Sequence, residues 1–309
     1  MFRKNIKKNT GFSLDNLNGI IHLDIKNKTI DVGSKTRFYD ILNETLKYGL
    51  MPKIIPELSS ITVGGAISGV ALESSSFKYG WVHNTVIDID VLTSSGDVLY
   101  CTRENENKEL FNALPNAYGT LGYVTRAKLE LIESKKSVII INKSFRNTKQ
   151  AFDFMEKIVN ENSCDFLEAV CYNKNDIVVS SCYLSNDTKN LSSYPRDGIY
   201  YEMIKRKSTD IISLYDYIWR WDSEMFWGVT GVPILQNKLF RRIFGRIILN
   251  TRILRLLQKI FVTESTTKEK IIQDLGVPMK NVNEFYNWIA KNINIYPIWI
   301  CHVVPRQSD

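Results

Sequence analysis

Apolar and polar positions change their period several times along the chain, and each change marks an element. GIIHLDI (19–25) and KTIDVG (28–33) alternate as short strands do, with Lys26 and Asn27 at the turn between them. Beyond Ser34 or Thr36 as a cap, Phe38, Ile41, Leu42 and Leu46 share one face of a helix. It is predicted to run to about Tyr48, where Gly49 supplies a left-handed stop. TVIDIDVLTSSGDVLYCT predicts a strand pair turning at SSGD, with Ile87, Ile89 and Val91 on one face and Asp88 and Asp90 on the other. NKELFNAL follows as a short helix. GYVTRAKLELIE is a long strand in which Ala127, Leu129 and Leu131 alternate with Arg126, Lys128 and Glu130.

ESKKS (133–137) is short, charged and placed after that strand, so it divides a first domain (1–134) from a second (135–309). The second part predicts a strand (VIIINKSF), a helix (TKQAFDFMEKIVN) and a strand pair (DFLEAVCYN and DIVVSSCYL) joined at KND. It closes with a helix (NVNEFYNWIAKN) and a strand (NIYPIWICHVVP). Strands and helices in this order define an α+β class.

Composition narrows the picture modestly. The chain has 309 residues, 44% hydrophobic and 24% charged, as an ordinary folded protein does. The net charge of +7 comes from 40 bases against 33 acids and matters only where it clusters. Five cysteines without CxxC spacing point to a reducing compartment and away from a disulfide framework or a zinc site. The basic start, MFRKNIKKNTGF, lacks the apolar core of a signal peptide, and no apolar run has the length of a membrane span. The expected location is intracellular, either cytoplasmic or peripheral on a membrane.

The densest local signal is PELSSITVGGAISGVALESSSFKYG (56–80), which gathers small residues and hydroxyls. A pyrophosphate needs inward-pointing backbone N–H groups with no side chains in the way, and a glycine-rich turn opening a helix supplies them. Gly64 and Gly65 would give close approach and unusual φ, Ala66–Val70 a short helix, and Ser68 a further donor. The bland alternative is a crowded turn. GxGxxG is absent and no acidic residue follows at the usual distance, so this is not the doubly wound dinucleotide fingerprint. SSSFKYG (74–80) and NAYGTLGYVT (116–125) add two more places where bare backbone meets a flat ligand.

Together these segments resemble the FAD-binding domain of the vanillyl-alcohol-oxidase (PCMH) type. The runs PEL..ITVGGAISG, ESSSFKYG and ALP.AYGTLGYVT are most similar to the sterol side-chain reductases of the delta-24 type. IFGRII (243–248), GVPMKNV (276–282) and IYPIWICHVVP (295–305) extend that resemblance into the second part. The resemblance implies a flavoprotein in which NADPH reduces FAD and the flavin reduces a side-chain carbon–carbon double bond of a sterol. It implies flavin contacts from Pro56, Thr62, Val63, Gly64, Gly65, Ser68 and Gly69, then from Ser74, Ser75, Tyr79 and Gly80. Gly119, Gly122, Tyr123 and Val124 would line the adenine side. Set beside that family, most of the first FAD subdomain and the end of the substrate domain are expected to be missing from this sequence. Two other readings therefore stay open: a PCMH-type flavin oxidase or dehydrogenase acting on an alcohol or hydroxy acid, and a non-catalytic truncated remnant that binds lipid or a membrane through its basic helix.

Other features allow a functional and a structural reading. His83 is placed where such flavoproteins carry a covalent bond to the cofactor, or is structural. Glu57 is read as a cap for backbone N–H groups and Glu73 as a proton donor; Lys280 and Tyr296 are candidates to face the flavin. LFRRIFGRIILNTRILRLLQKI (239–260) places Arg241, Arg252, Arg255 and Lys259 on one stripe, opposite Leu239, Ile243, Ile247, Leu254 and Leu257. That is either a helix for peripheral contact with an anionic membrane or a core helix with a basic outer face. YDYIWRWDSEMFW (215–227) is a substrate lid or a packed aromatic helix. No nucleic-acid recognition motif accompanies the basic residues.

Overall fold

The computed structural model describes residues 13–224, 233–253 and 274–304. The strands before residue 134 are β1 (Ile20–Asp24), β2 (Thr29–Gly33), β3 (Leu50–Pro52), β4 (Val86–Leu92), β5 (Val98–Thr102) and β6 (Tyr123–Glu133). They form one antiparallel sheet in the order β1-β2-β6-β4-β5, and β3 pairs with the far end of β6. Helices α1 (Phe38–Thr45), α2 (Val63–Ser68), α3 (Ser76–Tyr79) and α4 (Lys108–Ala113) accompany it. Ile30 and Val32 of β2, Ile89 and Val91 of β4, and Ala127 and Leu129 of β6 are buried in one core with α1 and α2. Each such valine, leucine or isoleucine contributes about 1.5–3 kcal/mol on burial. Gly49, at φ +68, turns the chain from the short helical turn after α1 into β3.

The polar positions of the same strands are also organised. Arg126 of β6 reaches across the sheet to Asp88 (2.6 Å) and Asp90 (2.8 Å) of β4 and to Asp31 of β2. One guanidinium thereby satisfies three neighbouring carboxylates. The strict alternation expected in β4 fails at one place: Ile87 is exposed and Asp88 buried. A bulge between Val86 and Asp88 shifts the register there and turns Ile87 outward.

After residue 134 the strands belong to a second antiparallel sheet. Its strands are β7 (Ser137–Phe145), β8 (Phe166–Asn173), β9 (Asp176–Ser185), β10 (Thr209–Ser213) and β11 (Ile298–Cys301), ordered β10-β7-β9-β8-β11. β11 is shorter than the expected 294–305, and Pro297 just before it has no N–H to donate to a ladder. The accompanying helices are α5 (Thr148–Glu161), α6 (Tyr194–Asp197), α7 (Tyr200–Arg206), α8 (Leu214–Ile218), α9 (Pro233–Gln236), α10 (Lys238–Ile248) and α11 (Met279–Asn292). Leu167, Ala169 and Cys171 of β8 pack with Ala151, Phe152 and Met155 of α5 and Tyr286 of α11. Phe166 and Val170, alternating with them, join the core shared with the first sheet.

Two expectations resolve against the functional alternative or change sign. Tyr217, Trp219 and Trp221 are buried, so the described part of the aromatic cluster is packed core; residues 225–227 lie outside the described residues. The basic helix of 239–260 is corrected more sharply. α10 stops at Ile248, and Arg255 and Lys259 lie outside the described residues. Arg241 is buried at 1% exposure, while Leu239 (67%), Ile243 (59%) and Ile247 (65%) face outward. The cause is local: Arg241 donates to the carbonyls of Gly198 (2.8 Å), Leu235 (3.1 Å) and Tyr194 (3.2 Å), saturating backbone acceptors of α6, α9 and their flanks. Arg252 also turns inward, 3.4 Å from the centre of the Tyr39 ring.

Candidate functional site

Thr62 caps α2 by accepting from the Gly65 N–H at 3.4 Å, and Val63, Ala66 and Ile67 anchor the helix in the core. The amides of this turn are largely committed to the protein itself. Val63 N–H donates to Thr36 O (2.9 Å), Gly64 N–H to Ser34 O (2.8 Å) and Ala66 N–H to Thr62 O (2.9 Å). The expected unusual φ at Gly64 and Gly65 is not found: positive φ occurs at Gly80, Gly119, Gly122 and, in the loop after α2, Val70. Gly64 is required by packing instead, because a Cβ there would stand 3.0 Å from Ser34 Cβ. The helix also begins at Val63 rather than Ala66.

What α2 leaves bare is its outer side. Gly65 and Gly69, one helical turn apart, are exposed; the Gly65 N–H keeps only the long bond to Thr62, and the Gly69 N–H donates to Gly65 O (2.9 Å). Ser34 brings a second glycine-bearing segment alongside. Its carbonyl accepts from Gly64 and its N–H donates to Thr125 O (2.9 Å) in β6. The start of β6 therefore lies next to α2, preceded by Gly119 (φ +84) and Gly122 (φ +145). Gly122 is needed because a Cβ would fall 2.7 Å from Val91 Cγ1 and 2.8 Å from Leu92 O. Tyr118, Leu121 and Tyr123 are exposed around these glycines, whereas Val124 is buried. A side-chain-free strip beside exposed aromatic surface suits a flat ring system with a charged linker, so these residues fit an FAD.

The third segment is placed differently. Ser74 and Ser75 are buried; Ser75 Oγ donates to Lys53 O (3.0 Å), and the side of Gly80 where a Cβ would sit is filled by Asn84. Pro56 is buried as well, and Tyr79 is half-buried beneath Lys53. Ser74 belongs to a charged network that sequence reasoning did not find. Arg220, just beyond α8, is fully buried and bridges Glu73 (2.9 Å) and Glu168 (2.8 Å). Its guanidinium also donates to Ser74 Oγ (3.1 Å) and Tyr217 O (3.0 Å) and stacks 4.1 Å from the Tyr217 ring centre. Glu168, in the middle of β8, further accepts from Tyr200 (2.6 Å), Trp299 (2.7 Å) and Trp221 (3.1 Å). The one available signal was an acid inside the apolar run FLEAVCY, since a buried carboxylate requires a partner.

The carboxyls of this region divide by environment. Burial alone would raise Glu168, but the charge and hydrogen bonds of Arg220 hold it below the usual carboxylate range. Glu73 is raised, because burial and the Glu168 charge outweigh the attraction of Arg220. Glu57 is pushed up to about 8, first by burial of its carboxyl and then by the Glu73 charge. Asp222 is also raised by burial, although it accepts from Ser59 N–H (2.9 Å), Ser59 Oγ (2.7 Å) and Thr251.

The remaining candidates are dispersed. His83 stacks on Trp81 and lines a pocket of about 20 Å³ with Ile67, Arg103 and Phe111, which is room for a water and not for a ring system. Tyr296 packs in the cluster of α5 and α11, and Lys280 is on the first turn of α11. All five cysteines are free thiols. Among the described residues no group of histidines, cysteines and acids is placed to hold a metal, and no helix is long and apolar enough to cross a membrane.

Residues 2–102 match the family model described as an FAD binding domain. Over 94% of its length it is similar to named oxidoreductases: it is 27% identical to the Delta(24)-sterol reductase of Rattus norvegicus and 26% to that of Homo sapiens. The chain spans 59% of the length of each of those relatives. It is also 30% identical over 177 residues to cytokinin dehydrogenase 1 of Arabidopsis thaliana, a match covering 56% of this chain and 31% of the relative. The resemblance to PCMH-type flavoproteins and the α+β class are thereby borne out.

Proposed function

We propose that this chain binds FAD on the bare edge formed by Gly65, Gly69 and the Gly119–Val124 segment, and acts as a flavin-dependent reductase of a lipid carbon–carbon double bond. A sterol side chain is the substrate class and NADPH the electron donor. The reading rests on one observation: two glycine-bearing segments of a chain that matches an FAD binding domain meet through Ser34 at an exposed surface. Bound FAD would supply the two-electron carrier between the nicotinamide and the alkene. The chain supplies the rest. Gly65 and Gly69 admit the cofactor's backbone-facing side, and Tyr118 and Tyr123 offer exposed rings beside it. Glu57 holds a proton on its carboxyl at neutral pH and is half-buried, so it is the group suited to protonate the second alkene carbon. Glu73, sealed in the Arg220 network, positions and does not donate. The domain division near residue 134, where the chain leaves the first sheet for the second, is part of the same proposal.

The outward stripe of Leu239, Ile243 and Ile247 on α10, flanked by the exposed cations Lys238 and Arg242, supports peripheral contact with an anionic membrane. Such contact would place a water-insoluble substrate within reach. The similarity to a cytokinin dehydrogenase favours a second reading, in which the flavin oxidises a substrate bond. Anaerobic assay of the FAD-loaded chain with NADPH and an unsaturated sterol separates the two. The proposal expects NADPH consumption matched by saturated sterol, with turnover falling as pH rises through about 8 and lost in Glu57→Gln. Flavin reduction by an alcohol or amine, with no reaction from NADPH, would favour the second reading.

A further inference from the structure

An opening of about 570 Å³ lies away from the bare edge, where the N-terminus of α5, the β8–β9 turn and one face of α11 meet. Four cations line it: Arg146 and Lys149 at the start of α5, Lys174 in the turn and Lys291 near the end of α11. Among the described residues no carboxylate lines it. Lys149 is paired with Asp153, but Arg146, Lys174 and Lys291 have no acidic partner among the described residues. The acid nearest in sequence to Lys174, Asp176, is engaged by Lys205. Three like charges gathered around one cleft repel each other, and a bound anion is what removes that repulsion.

The neutral lining has the matching chemistry. Asn147, Asn175, Asn283 and Asn287 contribute amides, and Thr148 Oγ1 donates to Asn283 Oδ1 at 2.6 Å. That bond ties α5 to α11 and turns the Asn283 NH₂ away from Thr148, free to donate. Asn147 caps α5 by accepting from Gln150 N–H (3.2 Å), so the positive end of a 14-residue helix also faces the cleft. The volume falls within the range of small-molecule sites, about 300–1,000 Å³.

We infer that this cleft is a binding site for a phosphate-bearing ligand with two or more negative charges. It is separate from the proposed flavin edge. β8 begins against the glycine-rich segment, where Leu167 N–H donates to Ser74 O, and ends at the turn carrying Lys174. Its length puts about 20 Å between Ser74, in the buried third segment, and the cleft, and the cleft shares no lining residue with the flavin edge. The ligand's phosphates come either from a soluble molecule or from a lipid headgroup, and the chemistry of the cleft is the same for both.

Calorimetric titration of the full chain with inorganic pyrophosphate is the test. Binding is expected to weaken at least about tenfold in the double variant Lys174→Glu/Lys291→Glu, because two charge-assisted contacts are reversed. A control that reverses two exposed lysines elsewhere, Lys26→Glu/Lys189→Glu, should bind as the unmodified chain does. Absence of pyrophosphate binding, or equal weakening in both double variants, would overturn the site. Circular dichroism confirms that each variant is folded. Sedimentation with phosphatidylcholine vesicles carrying phosphatidylserine identifies the source. Pyrophosphate-sensitive co-sedimentation lost in the Lys174/Lys291 variant assigns a headgroup, and pyrophosphate binding without it assigns a soluble ligand.

Discussion

Glu57 concentrates the consequences of burial at a single carboxyl. Its ionisation moves from 4.5 in an unstructured chain to about 8 in the fold, with burial the main cause and the Glu73 charge second. A carboxyl raised on folding keeps its proton in the native state after the unfolded chain has released it. Its contribution to stability is complete below about 4.5 and is lost progressively as pH rises to about 8. Denaturant titrations across that interval should therefore show stability falling toward alkaline pH, with a shallower fall in Glu57→Gln. An identical slope in both proteins would show that the carboxyl is not buried as described. Glu168 has the opposite sign: Arg220 holds its ionisation low, so its contribution is present at neutral pH and is lost only on acidification.

At the scale of elements, local pattern was readable wherever one face alone decides the outcome. The alternation in β6 and the periodicity of α1 predicted elements that form with the expected buried faces, since Ala127, Leu129 and Leu131 have only one core to enter, and α5 and α11 form where helices were expected. α10 shows where that reasoning ends. Its two faces were legible, but which one turns inward depends on the carbonyls of Tyr194, Gly198 and Leu235, which the local pattern does not reveal. The bulge at Ile87 and the commitment of the α2 amides to Ser34 and Thr36 are tertiary facts of the same kind. The glycine-rich segment was recognisable, yet its use of Gly64 for packing and Gly65 for exposure was not. The outward stripe of α10 makes its own prediction. Ile243→Glu/Ile247→Glu, which removes two side chains that are each more than half exposed, should leave thermal stability within about 0.5 kcal/mol and abolish sedimentation with anionic vesicles. Loss of stability without change in sedimentation would mean that the stripe packs against protein.

For the molecule as a whole, the two sheets are joined by buried polar ties as well as by a shared apolar core. Arg220 connects Glu73 beside α3 with Glu168 of β8, and Asp222 connects Ser59 with Thr251. Removing one member of such a network leaves an uncompensated buried charge, at a cost of about 3–5 kcal/mol. Arg220→Met should be destabilised by that amount in chemical denaturation, and combining it with Glu73→Gln and Glu168→Gln should recover part of the loss. A change below about 1 kcal/mol in the single variant would mean that solvent reaches the network.

The central claim is that the exposed glycines of α2 receive the cofactor. The most direct test is a fluorescence titration of FAD into the purified full chain and into Gly65→Leu, at an exposed helix position where the new Cβ meets only the Thr62 hydroxyl, at 3.1 Å. The account predicts saturable binding by the unmodified chain and binding at least about tenfold weaker in the variant, with both proteins equally folded by circular dichroism. Equal affinity in the two folded proteins, or no binding by the unmodified chain, would contradict it.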